Sequence, residues 1–258
     1  MELLVICLAA FLVAILTFFS GFGLGTLLTP LLVLYFPVEQ AIALTAVVHL
    51  CNNLFKLTLT ARHANITVLI WFGIPAVMAA FGGAWVLRNV AAAKPLFQYE
   101  AFNRIFTVYP VAFIIAVLLF TFALLEISPF TKQVQFARNK LPIGGFLSGF
   151  LGGLSGNQGA LRSAFLIRAG LTKEAFVGTT VVVSTFVDIT RLGVYSGRMQ
   201  QTDILSEWPL VLCATLSAIC GAYLGNRLLK KITLRFVQIV VAGLLFLVAI
   251  ALGTGVIS

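Results

Sequence analysis

Charge is scarce in this chain, and negative charge is the scarcest. Only 10% of the 258 residues are charged, and eight acidic residues stand against seventeen basic ones. An ordinary soluble domain carries about 25% charged residues. A chain that is 60% hydrophobic therefore has too few polar groups to cover a surface in water. A lipid bilayer is the solvent that this composition fits.

The sequence patterns of metal sites, disulfide frameworks and ATP-driven pumps are also missing. Histidine occurs only at His49 and His63, and no CxxC, HExxH or Walker A P-loop is present. The cysteines lie singly in apolar segments, at Cys7, Cys51, Cys213 and Cys220. We therefore expect no cofactor, no metal ion and no enzymatic activity. An intramembrane enzyme is kept as an alternative, although it would need a nucleophile with a base, or a metal cluster.

Long apolar runs are what the chain has instead. Residues 64–87, 105–125 and 236–257 carry no charge, and about 20 residues span a bilayer core as a helix. We predict an all-α protein that crosses the membrane several times. Its net charge of +9 would then reflect basic residues that set its orientation, so no nucleic-acid partner is predicted.

A repeat divides the chain into a first unit, 1–130, and a second unit, 141–258, joined by a polar linker at 131–140. A shift of 135 positions aligns Glu39 with Glu174, Thr45 with Thr180, Asn53 with Asp188, and Lys56 with Arg191. Each unit begins with a glycine-interrupted apolar region, 2–36 or 141–170. Three hydrophobic segments follow, at 40–58, 64–87 and 103–126 in the first unit and at 174–192, 208–226 and 234–257 in the second.

The basic residues of the loops indicate how the interrupted regions meet the membrane. If each region crossed once, the two faces would carry nearly equal positive charge. If each formed a helical hairpin, nearly all of the net positive charge would lie on the face of the linker 131–140. The positive-inside rule favours the hairpins, whether fully spanning or re-entrant, with a cytoplasmic linker and both termini periplasmic. The second unit is then inverted relative to the first, as in many secondary transporters.

Two glycine-rich breaks interrupt these regions, and we predict that they meet near the membrane midplane. Non-helical backbone is tolerated there only inside protein or beside a polar cavity. Each break precedes a short helix, whose N-terminus favours a small anion. The alternative is close helix packing through small residues. The predicted substrate-binding residues of the breaks are Gly23, Leu24, Gly25, Thr26, Ser155, Gly156, Asn157, Gln158 and Gly159.

Arg162 follows the second break by one helical turn. A guanidinium group within the bilayer is costly, and arginine binds oxyanions through two parallel hydrogen bonds. We therefore assign Arg162 to the anion, with Ser163 as a neutral partner. A structural ion pair or a side chain that snorkels to the membrane surface is the alternative.

Several further polar residues lie within the apolar segments. Asp188 and Arg191 are three residues apart and could pair on one helix face, and the matching Asn53 and Lys56 keep that spacing. Their position near predicted segment ends favours a local pair or a gate over direct contact with substrate or protons. His49 could relay protons, or be a hydrogen-bonded core residue. Gating or proton coupling is thus predicted for all five.

The double break resembles the TauE/SafE family of membrane transporters. The resemblance rests on the run from Ser20 through Gly21, Gly23 and Gly25 to Pro30, and on the run from Gly149 to Ala160. It covers nearly the whole chain and implies transport of sulfur-containing anions, often sulfite or organosulfonates, in a bacterial inner membrane. The second break departs from the family pattern, because Gln158 and Arg162 interrupt it and the downstream proline is missing.

The resemblance and the residues together predict a secondary transporter that moves a small sulfur-containing anion by alternating access. Its partners are the anion, the lipid bilayer and, as a coupling ion, the proton. A homodimer is compatible with the pattern. An anion channel that uses the same cavity is a further alternative.

Overall fold

The computed structural model describes residues 2–18, 23–90, 93–101, 104–128, 138–156, 159–166, 169–199, 207–228 and 234–257. Within these ranges the first unit forms α1 (Glu2–Thr17), α2 (Gly25–Leu32), α3 (Val38–Thr60), α4 (Ile66–Val90) and α5 (Pro110–Ile127). The second unit forms α6 (Leu141–Ser155), α7 (Gly159–Leu166), α8 (Lys173–Met199), α9 (Trp208–Leu228) and α10 (Leu234–Gly253). The protein is an all-α membrane protein, as the sequence predicts.

Local sequence explains several helix boundaries. Pro110 starts α5, where the missing N–H of proline costs nothing. Asn65 caps the start of α4 by accepting a hydrogen bond of 3.1 Å from the Val68 backbone N–H. α4 contains a π-helical turn at Leu69–Gly73. Single turns of 3₁₀ helix precede α4 at Ala61–His63 and α6 at Arg138–Lys140.

A β-hairpin corrects one predicted segment. Its strands β1 (Phe97–Ala101) and β2 (Arg104–Val108) pair antiparallel, with Phe97 opposite Val108. The span predicted over 103–126 was wrong at its start, because residues 104–108 are strand and the helix begins only at Pro110. Alternating aromatic and β-branched residues suit a strand. The hairpin is tied to the C-terminal end of α10 by a 2.5 Å hydrogen bond from Tyr99 Oη to the Thr254 carbonyl.

Two other boundaries differ from those predicted. α8 continues seven residues beyond the predicted end at 192, to Met199. α6 runs as an unbroken helix through Gly152 and Gly153 and ends at Ser155. The second break is therefore shorter than the glycine-rich sequence suggests, because the earlier glycines serve helix packing.

The outer faces of the molecule suit lipid. Among the described residues, four helices are long and apolar enough to cross a membrane: 40–63, 66–90, 173–196 and 208–227. Shorter apolar helices lie at 3–17, 110–124, 141–155 and 242–253. Large apolar side chains such as Met78, Phe81 and Leu247 are more than half exposed, which is stable against hydrocarbon and costly in water.

Two helix pairs pack backbone to backbone through glycine. A Cβ added to Gly149 of α6 would lie 1.9 Å from the Ala76 carbonyl oxygen of α4, and one on Gly153 would lie 2.1 Å from the Ala80 oxygen. α1 and α9 approach in the same way, since a Cβ added to Gly221 would lie 2.3 Å from the Phe11 carbonyl oxygen. Small residues let membrane helices approach this closely. Gly221 and Gly225 therefore serve helix packing.

α3 and α8 run antiparallel through the centre of the fold. Asn53 of α3 contacts Asp188 of α8, while further along α3 the Thr60 carbonyl oxygen lies 2.5 Å from a Cβ placed on Gly178. The Asn65 N–H donates to Thr179 Oγ1 at 2.9 Å. The connection after α3 therefore lies at the same end of the molecule as the start of α8.

Candidate functional site

The two breaks meet in the interior of the protein. Gly25 opens α2, and a Cβ placed on it would lie 3.2 Å from the carbonyl oxygen of Gly156, which follows α6. Gly23 and Gly156 have φ angles of +79° and +76°. A side chain at either position would be strained, since L-residues rarely adopt these angles. The glycines thus permit two non-helical segments, one from each unit, to come into contact.

Asp188 organises the polar groups beside the breaks. His49 Nδ1 lies 2.7 Å from Asp188 Oδ2, and Asn53 Nδ2 donates to the same oxygen at 3.0 Å. Arg191 Nε donates to Asp188 Oδ1 at 3.0 Å. The four side chains are at most 3% exposed. One carboxylate therefore joins α3 of the first unit to α8 of the second.

Arg191 reaches from this network to the second break. Its Nη1 would lie 2.5 Å from a Cβ on Gly156, so only glycine leaves room for the guanidinium. Nη2 is 2.9 Å from Asp188 Oδ1 but is poorly directed for a hydrogen bond, so the pair is held mainly through Nε. Among the residues that the structure describes, neither Nη1 nor Nη2 has a hydrogen-bond partner. Nη1, which lies against the break, therefore has N–H donors to offer there.

Arg162 links the second unit to the first break. It lies on α7, is 1% exposed, and donates from Nη1 to the Ser184 hydroxyl. A Cβ on Gly23 would lie 3.7 Å from Arg162 Nη2 and 3.1 Å from His49 Nε2. Arg162 of the second unit and His49 of the first unit therefore flank the positive-φ glycine of the first break.

Lys56 is the third cation of the site. It is 3% exposed on α3, and its Nζ lies 5.3 Å from the Phe18 ring centroid, within range of a cation–π interaction. With the Asn52 amide oriented to donate to the Ala218 carbonyl oxygen, its oxygen accepts from Lys56 Nζ at 3.3 Å. Lys56 lies one helical turn beyond Asn53 and two turns beyond His49 on α3. We call Lys56, Arg162 and Arg191 the buried basic cluster.

The chemistry of these groups suits anion binding. Three buried cations face one buried carboxylate, and burying charge is costly unless it is compensated. Guanidinium groups bind oxyanions with directed hydrogen bonds. Within the described ranges, no three His, Cys, Asp or Glu side chains are grouped as metal ligands.

Most residues predicted for the site do come together. Those in or beside the meeting point of the breaks are Gly23, Gly25, Gly156, Arg162, His49, Asn53, Lys56, Asp188 and Arg191. Four further predicted residues are buried next to them in sequence: Leu24, Thr26, Gly159 and Ser163. Ser155 donates to the Leu151 carbonyl of its own helix at 2.9 Å. Asn157 and Gln158 lie outside the described residues.

One expectation about the polar pairs is confirmed and another is wrong. The pairing of Asp188 with Arg191 is confirmed. Their placement near a segment end was wrong, because α8 continues to Met199 and both residues are fully buried in its interior. Asn53 and Lys56 are likewise buried within α3. These four residues belong to the protein interior and not to its surface.

The sequence prediction missed Ser184, the hydroxyl that accepts from Arg162. The shift of 135 positions that aligns the units places Ser184 opposite His49, so the repeat itself carried the signal. It also missed Asn52 and Phe18, the partners of Lys56. No spacing rule identifies these two, since Phe18 is one of many phenylalanines and its contact depends on how α1 packs.

A sequence model of one family, described as Sulfite exporter TauE/SafE, matches residues 6–252. The chain belongs to the TauE/SafE family. It is therefore a multi-pass membrane protein of an anion transporter family, whose partners are a small anion and the lipid bilayer. No curated protein matches this TauE/SafE chain, and no solved structure matches it either.

Proposed function

We propose that this TauE/SafE protein is a secondary transporter that moves a small sulfur-containing anion, sulfite or an organosulfonate, across a bacterial inner membrane. The observation that carries the proposal is the meeting of two helix breaks beside two buried arginines. Arg162 lies against Gly23 of the first break, and Arg191 lies against Gly156 of the second. Backbone N–H groups and guanidinium groups there offer directed donors to an oxyanion.

Two inverted units would explain how such a site serves both faces of a membrane. Asn53 and Asp188 occupy equivalent positions of the two units and contact each other directly at 3.0 Å. Equivalent residues meet where a pseudo-two-fold axis passes between them. Because α3 and α8 are antiparallel, that axis would lie in the membrane plane, as in inverted-repeat transporters.

The helical hairpins find support at the ends of the helices. The connection after α3 touches the first turns of α8 through Asn65, Thr179 and Gly178. Hairpins at 2–36 and 141–170 place these two regions on one face of the membrane, whereas single crossings would place them on opposite faces. With the positive-inside rule, this face is cytoplasmic and both termini are periplasmic.

Alternating access follows from this arrangement. The anion would bind where the units meet, and the two closely packed helix pairs, α1 with α9 and α4 with α6, would move as rigid bodies around it. Each pair combines helices from both units, so each break is attached to a helix of the opposite unit. Rocking of one pair would open the site first to one face and then to the other.

A proton is the coupling ion that the site could carry. Histidine has an ordinary pKa of about 6.5, close to neutrality, and His49 contacts the carboxylate that also holds Arg191. The charged groups that face this pair are Lys56, Arg162 and Arg191. Protonation of His49 would compete with Arg191 for Asp188 and so alter how firmly the guanidinium is held at the break.

Transport by purified protein in liposomes tests the proposal. The panel is sulfite, sulfate, thiosulfate and small organosulfonates, with initial rates measured against concentration. We expect saturable movement of at least one of these anions. Flux that rises without saturation would favour an anion channel instead, a new chemical product without net flux would favour an enzyme, and absence of all flux by folded protein would contradict anion transport.

A further inference from the structure

We propose that the site takes a small oxyanion with two negative charges, in preference to singly charged or zwitterionic sulfonates. This inference rests on the proposed function and narrows its substrate class. Sulfite in its doubly charged form, sulfate and thiosulfate would belong to the preferred class. Alkylsulfonates and aminosulfonates would not.

The buried basic cluster carries more charge than the protein compensates. Lys56, Arg162 and Arg191 are 3%, 1% and 0% exposed, and Asp188 is the only acidic residue among the buried polar side chains of the described ranges. With His49 neutral, the formal charge of these groups is two positive charges in excess. Excess charge away from water is costly, so the site is set up for a guest that removes it.

Among the side chains that the structure describes, no carboxylate other than Asp188 is buried. The sequence contains eight acidic residues. Of the others, Glu100 in the β-hairpin and Glu174 in the first turn of α8 are exposed, and Glu207, just before α9, is half-buried. Within the described side chains, no second buried carboxylate therefore compensates the excess positive charge.

Comparison of the two units shows where the excess positive charge arises. In the second unit Arg191 pairs with Asp188, three residues earlier. In the first unit Lys56 is the cation equivalent to Arg191, but the position equivalent to Asp188 holds the neutral Asn53. Asn53 itself turns to Asp188 and donates to it. One carboxylate thus serves both units, and the first unit has a neutral amide where the second has its carboxylate.

The geometry sets the size of the guest. Cβ atoms added at Gly23, Gly25 and Gly156 would lie 3.1 Å from His49 Nε2, 3.2 Å from the Gly156 carbonyl oxygen and 2.5 Å from Arg191 Nη1, so the meeting point is closely surrounded by side chains and backbone. Nη1 of Arg191, which has no hydrogen-bond partner among the described residues, lies against Gly156 there. A compact tetrahedral or pyramidal oxyanion could accept hydrogen bonds from Nη1.

Charge then separates the candidate anions. A dianion would neutralise the excess, a monoanion of similar size would leave one positive charge uncompensated, and the ammonium of an aminosulfonate would be repelled by the cluster. Opposite charges attract strongly at short range where water is excluded. Selection should therefore depend mainly on the charge of the guest.

Binding of matched anions to the purified full-length protein tests this. Sulfate and methanesulfonate have nearly the same size but differ by one charge, and thiosulfate and 2-aminoethanesulfonate extend the comparison. The readout is the rise in melting temperature with millimolar ligand at constant ionic strength. The Arg162→Gln variant corrects for nonspecific stabilisation, because sulfate also stabilises proteins by exclusion from their surface.

We expect half-maximal stabilisation at about tenfold lower concentration for sulfate and thiosulfate than for methanesulfonate, with 2-aminoethanesulfonate weakest. Lys56→Met removes one buried charge at nearly constant volume, so it should fold and should reduce the preference for sulfate over methanesulfonate. Arg88→Met, which removes an exposed charge at the end of α4, should leave that preference unchanged.

The outcomes separate this inference from the proposed function. Methanesulfonate that binds as tightly as sulfate would overturn the charge preference while leaving anion transport standing. A preference for sulfate that Lys56→Met leaves intact would overturn the role of the buried basic cluster. Binding of neither anion, together with absence of flux in liposomes, would contradict both proposals.

Discussion

At the scale of single residues, Asp188 is the side chain that holds the polar groups of the site together. It accepts hydrogen bonds from Asn53 and Arg191, lies 2.7 Å from His49 Nδ1, and is fully buried. Removing one partner of a buried ion pair leaves the other charge uncompensated, which costs about 3–5 kcal/mol. The consequence reaches beyond the pair, because Arg191 would lose what holds it at the second break.

Asp188→Asn should therefore lower the stability of the protein by about 3 kcal/mol or more, together with the affinity for the anion. The melting temperature in detergent measures the stability, and its rise with added sulfate measures the affinity for the anion. Glu174→Gln serves as the matched control, since Glu174 is an exposed acid at the start of the same helix. Equal melting temperatures for the two variants would show that the ion pair does not stabilise the fold.

Gly156 offers a second residue-scale prediction. Alanine at this position would keep its backbone in the left-handed region, at a cost of about 1–2 kcal/mol. Its Cβ would also collide with Arg191 Nη1 at 2.5 Å. Gly156→Ala should abolish saturable transport. Gly193→Ala on the same helix as Arg191 meets no atom within 4 Å and should retain transport and gain slight helix stability. Transport by Gly156→Ala at the normal rate would mean that Arg191 does not need its place at the break.

At the scale of elements, the close approach of α4 and α6 fixes the position of the second break. α6 ends at the break, and its glycines lie directly against backbone carbonyls of α4. Since no side chain intervenes, the distance between these helices has little freedom to vary. The distance between α1 and α9 is restricted in the same way. α9 thus fixes the end of α1 just before the first break.

Two adjacent glycines of α4 test this packing with a built-in control. A Cβ on Gly83 would lie 2.0 Å from the Phe150 carbonyl oxygen, whereas one on Gly82 would come no closer than 3.9 Å to the Phe150 ring. Gly83→Ala should force the helices apart and lower stability by about 1–3 kcal/mol. Gly82→Ala should leave the melting temperature within the experimental error of the unchanged protein. Equal effects would mean that the helices adjust freely.

At the scale of the whole molecule, the central question is how the units lie in the membrane. The hairpin topology places the linker 131–140 and the connection 168–174 on one face, and single crossings place them on opposite faces. Lys140 and Lys173 are exposed at the starts of α6 and α8. Arg88, near the end of α4, belongs to the other face in the hairpin topology.

Single cysteines at these positions, in a background without the four native cysteines, should report the topology through a membrane-impermeant maleimide. We expect Lys140→Cys and Lys173→Cys to be labelled from the cytoplasmic side and Arg88→Cys from the periplasmic side. Labelling of Lys140→Cys and Lys173→Cys from opposite sides would exclude the helical hairpins and, with them, the inverted repeat.

The sequence predicts the membrane class, the helix order and the family, because apolar runs and the repeat are local or periodic features. It also predicts the Asp188–Arg191 pair, since a spacing of three residues places side chains on one helix face. The contact of His49 with Asp188 spans the two units, and the partner of Arg162 is 22 residues away. Such contacts depend on packing, and no local pattern specifies them. The β-hairpin was missed because its apolar residues continue directly into α5.

The most direct test of anion transport through the meeting point of the breaks is the transport rate of Arg162 variants in liposomes. Arg162→Gln removes the guanidinium that lies against Gly23, and Arg227→Gln removes an exposed arginine at the end of α9. We predict that Arg162→Gln loses about 90% or more of saturable transport, since one charged hydrogen-bonding partner is worth about 1.5–3 kcal/mol, while Arg227→Gln transports normally. Normal saturable transport by folded Arg162→Gln would contradict the assignment of the site.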